Sequence, residues 1–402
     1  MTDKQASYIL SLNGGSSSLK FKLYDSLSLD AKVSGEVKRI GVEGSEMEIR
    51  EQGQVIYKSV DTSYTTIVDA TKAVISWIKN NQHRFSVIAI GHRLVQGGPD
   101  HREPARITDA MVKSLCKYIY LAPNHLPGAI SMIRGFQSAF PGIPHVACFD
   151  TCFHRHMPAH ARYYPLPAEY KDKGLMRYGF HGLSYEYIME KLREDRQFPS
   201  NHKVIIAHLG NGASMAAVKN GIGVDTTMGL SPIGGLVMGT RSGDLDPGVI
   251  LYLLKHAKLN ANDLNELLSK RSGLKAIAGT SDVLQLLQNE AADPAARAAL
   301  TLFCYQAKKF IGAMAAAMGG VDTLVFTGGI GENSAVIRRR ICEDLDYMGI
   351  TLNQSLNNEG AGIISSGENW AKICVIKTDE EWMIAKHTRQ LVKAGETPVV
   401  IA

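Results

Sequence analysis

The chain has 402 residues, 45% of them hydrophobic, enough for two cores rather than one. Its 44 basic and 39 acidic residues leave a formal charge of +5, spread along the chain, which argues against a nucleic-acid partner and suits small anions. No apolar run reaches membrane-spanning length, the opening MTDKQASYIL has no apolar signal region, and six cysteines are too few for a disulfide framework, so a cytoplasmic protein with reduced thiols and no membrane partner is expected.

The run Tyr8–Leu12 stops at Asn13; GGSSS follows, and KFKLYD then alternates. That pattern predicts strand, small-residue turn, strand. KVSGEVKRI and EMEIREQGQVIYKSV alternate in the same way, the latter with a turn near Gly53. Residues 67–81 have helical spacing, and FSVIAIGHRLVQGG reads as a buried strand entering a glycine loop. Helices near 108–120 and 127–139 precede a short strand, HVACFD.

The second half repeats the opening. KVIIAHLGNGASMAAVKNG is again strand, Asn/Gly/Ser turn and strand, with Asn13 and Asn211 in matching places; such an echo points to duplication. The segment 294–318 is alanine-rich and apolar on most sides, as a buried packing helix would be. DTLVFTGGIGENSAVIRRR then reads as strand, glycine turn and helix.

Glycine turns after strands let backbone N–H groups approach a polyanion. None matches the Walker or dinucleotide patterns. Three of them, two related by duplication, imply a nucleotide held between two similar domains. Arg93 in GHRLVQGG and Arg241 in MGTRSGDLDPG stand in glycine-bearing loops. A single arginine is by default a surface ion-pair residue; two facing one site would neutralise a phosphoryl group and an anionic acceptor. Asp150 ends a strand, where it either forms a turn or projects into a cleft. His154, His156 and His160 lack the further ligand set of a zinc site and read as a polar loop. Cys116, Cys148, Cys304 and Cys374 read as small core residues.

NGGSSSLKF, GHRLVQGG, FDTCFH, YGFHGLS, HLGNGAS, GLVMGTRSGDLDPG, FTGGIGEN and TDEEW occur in one order along essentially the whole chain. In this the sequence resembles the acetate kinase family, within the acetate, propionate and butyrate kinases. The resemblance implies an α/β, duplicated two-domain actin-like, sugar-kinase-like ATPase fold with mixed sheets flanked by helices. It implies a first domain over 1–150, with a C-terminal helix of about 381–402 packed back onto it, and a nucleotide-binding domain over 151–380. The active site would lie in the cleft, and the protein would be a homodimer.

The implied reaction is reversible in-line phosphoryl transfer from ATP to acetate, giving ADP and acetyl phosphate, with Mg2+ or Mn2+. A propionate or other short-chain acid kinase is the alternative. Asn13 and Glu380 would hold the metal, and Lys20 would contact nucleotide phosphate. His208, Leu209, Gly210, Asn211 and Gly212, with Asp282 and Gly329, Ile330, Gly331, Glu332 and Asn333, would line the nucleotide. Arg93 would bind the acyl carboxylate, Asp150 would be the catalytic carboxylate, and His181 and Arg241 would stabilise the transition state. His125 keeps its family place, while Val95, Asn124, Phe180 and Pro232 would line the methyl end. Because a carboxylate acceptor titrates near ~4 it needs no general base, so Asp150 is expected to orient the acceptor or metal-bound water. The sequence departs from the family at Leu284, where an arginine is usual, and at Asn124, where an apolar residue is usual. A non-catalytic nucleotide module of the same fold would have no use for Arg93, Asp150, His181 and Arg241 together.

Overall fold

The computed structural model describes residues 6–15, 17–60, 63–195, 198–199, 201–367 and 369–393. Its contacts divide the chain into two units, one of residues 1–152 and 379–402 and the other of residues 153–378.

In the first unit the alternating segments form β1 (Ser7–Gly14), β2 (Ser18–Asp25), β3 (Ala31–Lys38), β4 (Glu46–Glu51) and β5 (Gln54–Val60). They pair antiparallel in sequence order. β6 (Ser86–Leu94) and β8 (His145–Phe149) continue the sheet parallel to β1, and the two-residue β7 (Ala105–Arg106) closes it, in the order β5-β4-β3-β2-β1-β6-β8-β7.

Both faces of β1 are covered. Helices α1 (Ile67–Asn80), α2 (Asp109–Lys117) and α3 (Leu126–Ala139) follow in chain order, and Leu10 and Leu12 face the core shared with α1 and α3, where Val74, Trp77, Met132 and Phe136 pack. Ile9 faces the other way, against Ala385 and Val392 of the C-terminal helix Glu380–Lys393. Each such apolar side chain gains about 1.5–3 kcal/mol on burial. That helix lies very close to the sheet: a Cβ on Gly91 would stand 2.3 Å from Thr388 Oγ1 and 2.5 Å from Ile384 Cγ2. Residues 394–402 of the helix expected from the sequence lie outside the described residues. Glu380, counted above with the second domain, opens this helix and belongs to the first unit.

The second unit has a sheet ordered β11-β10-β9-β12-β13, from β9 (Lys203–Leu209), β10 (Ala213–Lys219), β11 (Ile222–Thr226), β12 (Thr323–Thr327) and β13 (Lys372–Val375). β9 pairs antiparallel with β10 and parallel with β12, and β12 runs parallel to β13. This is the arrangement of β3-β2-β1-β6-β8, so the strand order carries the duplication. The two asparagines are not register partners, however. Asn13 sits within its ladder opposite Lys20, whereas Asn211 sits in the turn between the paired Leu209 and Ala213.

Two other sequence expectations are corrected. The helix Pro294–Met318 buries a stripe at helical spacing (Ala296, Ala299, Leu300, Phe303, Ala307, Ile311, Met314) and is not buried all round; alanine tolerates either side, so composition alone concealed the stripe. Cys116 is exposed, while Cys148, Cys304 and Cys374 are buried.

Candidate active site

Asn13 and Arg93 are the penultimate residues of β1 and β6, and Asp150 immediately follows β8. Three adjacent parallel strands thus deliver their polar residues at their carboxyl ends, where open α/β sheets bind ligands. Period-two alternation puts Arg93 on the face of Gly91, the face covered by the C-terminal helix.

The side chains form one chain of bonds. Arg93 donates from Nε to Asp150 Oδ1 at 2.9 Å and from Nη2 to Oδ2 at 2.6 Å, a bidentate fork. Its Nη1 donates to Asn13 Oδ1 at 2.9 Å. Asn13 Nδ2 then donates to Glu380 Oε2 at 3.0 Å and to Glu381 Oε1 at 2.8 Å. Burial works against the Arg93 charge, but Asp150 and Glu380 overcome it and hold the guanidinium above its ordinary pKa. Lys20 stands exposed opposite Asn13. Lys22, two residues on and therefore on the same face, pairs with Asp379 at 2.9 Å and lies 3.6 Å from Glu381.

This connected set has two cations, Lys22 and Arg93, against four carboxylates, Asp150, Asp379, Glu380 and Glu381. The excess of two negative charges and the oxygen-only donors match a hard divalent cation. Among the described residues no three His, Cys, Asp or Glu side chains form a self-sufficient metal cage. A magnesium ion sharing its shell with phosphates needs only one or two protein ligands, so Asn13 and Glu380 fit that role.

The second unit is built differently. His181 caps the helix Gly182–Glu194 in a left-handed conformation, φ 57°. Its ring stacks on that of His208 with centroids 4.3 Å apart. Hydroxyls fix both rings: His181 Nδ1 bonds Ser214 Oγ at 2.8 Å, itself bonded to the Tyr185 hydroxyl, and His208 Nδ1 bonds Ser184 Oγ at 2.8 Å. At Gly212 a Cβ would stand 3.4 Å from both His181 Nε2 and Arg241 Nη1. The bare glycine backbone, one imidazole and one guanidinium therefore converge. Arg241 is steadied by donating from Nη1 to the Pro232 carbonyl at 3.0 Å. Asn211 is exposed and tied to the Arg241 loop, its carbonyl accepting from the Gly239 N–H.

After β12 the chain turns at Gly328, whose φ of +75° favours glycine, into the helix Gly328–Asn333. Beside Gly329 the space is open. Glu332 points back into this turn, accepting from the Gly328 and Thr378 N–H groups, and Asn333 donates to the Gly329 carbonyl. Both brace the turn. Beneath them the buried Arg338 donates to the carbonyls of Gly331 and Glu332 and to Asn357. Sequence reading passed over Arg338 because it sits in the run RRR; its helical spacing from Ile341 and Cys342 was the available signal.

The remaining residues divide between the units. Val95 is buried, His125 half-buried and Asn124 exposed in the first; Phe180 and Pro232 are buried in the second. Asp282 caps the helix Val283–Asn289 through the Leu284 N–H at 2.9 Å. His154 is not part of a polar loop: it is buried and bonded to the Phe180 carbonyl, and desolvation brings its pKa down to about 4.

The chain matches the Acetokinase family over residues 8–386. An acetate kinase from Methylocella silvestris is 40% identical over 400 residues, covering 96% of this chain and 98% of its own length. One from Carboxydothermus hydrogenoformans is 41% identical, covering 96% and 99%. Among solved structures, a propionate kinase from Francisella tularensis has a TM-score of 0.90 at 35% identity, and the Porphyromonas gingivalis acetate kinase 0.85 at 37%, each covering 96% of this chain and 100% of its own. With the duplicated sheets, the Asn–Arg–Asp chain and near-complete coverage in both directions, the chain belongs to the acetokinase family, kinases that transfer a phosphoryl group to a carboxylate.

Proposed function

We propose that the protein transfers the γ-phosphoryl group of ATP to acetate, reversibly, giving ADP and acetyl phosphate. The observation that carries this reading is the fork between half-buried Arg93 and buried Asp150, tied through Asn13 to Glu380. An arginine held so rigidly suits planar recognition of a carboxylate.

In this reading Arg93 binds the acetate carboxylate, and Asp150 fixes the guanidinium plane. The acceptor is already ionised at neutral pH, so no proton has to be removed. His181 and Arg241 donate to the equatorial oxygens of the phosphoryl group in flight, where placed donors act most strongly. The Gly210–Gly212 and Gly328–Asn333 turns, with His208 and Asp282, receive the nucleotide, and Lys20 its phosphates. Asn13 and Glu380 would hold Mg2+, which when bound would neutralise phosphate charge.

A propionate-preferring variant is the second reading, favoured by the fold shared with the Francisella enzyme. Val95 in the first unit and Phe180 in the second are the bulky residues that the family resemblance assigns to the methyl end, and one extra methylene is worth about 1–3 kcal/mol in a hydrophobic pocket. Acetate is therefore the better substrate and propionate a slower one. The exposed Asn124 contributes little to the choice. Trapping acyl phosphate with hydroxylamine across a panel of short acids tests this. Acid-independent ATP hydrolysis alone would sink the kinase reading, and higher kcat/KM on propionate would reverse the preference.

The quaternary state we infer is a homodimer. In the helix Pro247–Lys255 no residue is buried, and Leu251 and Tyr252 are 53% and 61% exposed. An apolar helix so bare suits a second copy of the chain. Light scattering of the wild type and of Tyr252→Glu decides it: dimer for the first and monomer for the second.

A further inference from the structure

The first turn of the C-terminal helix is tied down by residues to which no role has yet been given. Asp379 Oδ1 accepts from Lys22 Nζ at 2.9 Å, from the Tyr24 hydroxyl at 3.1 Å and from the Trp382 N–H at 3.0 Å. Glu381 is buried, with Oε2 3.6 Å from Lys22 Nζ and Oε1 accepting from Asn13 Nδ2 at 2.8 Å. Lys22 stands opposite Ser11 in the ladder, one alternation before the Lys20–Asn13 pair.

A carboxamide can sit either way round, and its neighbours decide which. Here both N–H bonds of Asn13 go to carboxylates, Glu380 and Glu381, and its oxygen goes to Arg93. Turning the amide over would set Oδ1 against two carboxylates and the NH2 group against a guanidinium. Glu380 alone holds one N–H; Glu381 takes the second and removes the alternative. Glu381 in turn is a buried carboxylate whose nearest cation is Lys22, and an unpaired buried carboxylate is costly.

Resting on the function read above, we propose that Lys22 and Glu381 are positioning residues that lock the Asn13 carboxamide with its oxygen turned toward Arg93 and the phosphate-bound divalent cation. Neither touches substrate. Lys22 holds Glu381 in place, Glu381 orients Asn13, and Asn13 presents an oxygen that retains a lone pair beyond the one taken by Arg93.

Mn2+ is the probe, titrated by electron paramagnetic resonance into the full-length protein with ADP, alongside kcat, the KM for acetate and the Mg2+ dependence of turnover. Glu381→Gln and Lys22→Met should each weaken Mn2+ binding about tenfold or more, the scale seen when an outer-shell partner of a ligand is removed. The Mg2+ requirement should rise with it while the KM for acetate stays put. Lys22→Arg should recover most of the affinity, since it still spans Asp379 and Glu381. The double variant should bind no worse than Glu381→Gln alone, because the two act in series. Should Glu381→Gln fail to fold, the double variant, which removes both charges together, decides in its place. Wild-type Mn2+ affinity in a folded Glu381→Gln or double variant overturns the proposal, whatever happens to the melting temperature. So does a Lys22→Arg variant no better than Lys22→Met. A wild-type chain that binds Mn2+ and ADP but does not phosphorylate acetate would defeat the functional reading and leave this one standing.

Discussion

The hairpins β1–β2 and β9–β10 occupy the same place in two copies of one strand order, yet they carry opposite kinds of chemistry. Around the first, charges dominate: Arg93, Lys22 and four carboxylates are linked through a single asparagine. Around the second the rings of His181 and His208 are held by hydroxyls, and the turn itself is almost bare glycine. The strand order fixes where side chains emerge, at the carboxyl ends of parallel strands. What covers the sheet decides what emerges. In the first unit the C-terminal helix brings Asp379, Glu380 and Glu381 to the strand ends, which demands cations and suits a metal. In the second, a left-handed histidine cap and neutral hydroxyls hold two rings beside a glycine turn, an arrangement that suits phosphate.

Breaking the charged half should cost most. Asp150 is fully buried and spends both carboxylate oxygens on Arg93. Asp150→Asn replaces one acceptor by a donor facing the guanidinium, so Arg93 loses its plane as well as its counter-charge. Activity should fall by at least the 10²–10³-fold typical of one misplaced stabilising group, roughly 3–4 kcal/mol, and by the same factor at every pH. A pH limb present in the wild type and absent from Asp150→Asn would instead make Asp150 a general base.

The arginines provide the like-for-like test between the halves. Arg93→Ala and Arg241→Ala should each lose about 3–4 kcal/mol in kcat/KM. They should divide differently: Arg93→Ala through the KM for acetate as well as kcat, and Arg241→Ala through kcat. Lysine should rescue neither well, since the planar fork is gone. Near-wild-type turnover in either folded alanine variant would remove that arginine from the site.

These side chains were legible in the sequence to different degrees. The strands, their turns and helices α1 and α3 follow from apolar period and small-residue punctuation, which are local signals. Arg93 and Asp150 were readable because each ends an apolar strand. Lys22 shares the period-two face of Lys20, and Glu381 adjoins Glu380, yet their joint action on Asn13 runs through a contact between residues 368 apart in sequence. No local pattern encodes such a contact. The buried Arg338 was hidden by its charged neighbours. Asn13 and Asn211 look alike in sequence, yet Asn13 precedes the last paired residue of its strand and Asn211 follows that of its own.

A smaller effect, on pH, is one the two halves share. In the first unit desolvation lowers His145 to about 4, and in the second it lowers His154 to about 4, each from 6.5. Each is neutral when folded and takes up a proton when unfolded below its ordinary pKa. Stability is therefore full above about pH 6.5 and lost as pH falls toward about 4, by up to about 3 kcal/mol per histidine. His154→Gln can still donate to the Phe180 carbonyl but cannot titrate. Urea midpoints across this range should decline less steeply in the variant than in the wild type. Parallel curves would mean that His154 is not held neutral by its surroundings.

The smallest expected effect is on the nucleotide base. Leu284, at the start of the helix capped by Asp282, is 65% exposed and stands where relatives are expected to carry an arginine. An aliphatic side chain offers no donor to a purine edge and only apolar contact to its face. Discrimination by hydrogen bonding comes from site groups left unpaired by the wrong ligand, about 1–3 kcal/mol for each; Leu284 has no such group to leave unpaired. ATP, GTP and ITP should therefore differ little in kcat/KM, by less than the roughly tenfold that one such contact of about 1.4 kcal/mol would supply. Leu284→Arg should restore a preference without changing the KM for acetate, since the acceptor is assigned to Arg93 in the other unit. A strong ATP preference in the wild type would show that another side chain reads the base, and an unchanged profile in Leu284→Arg would place position 284 outside base recognition.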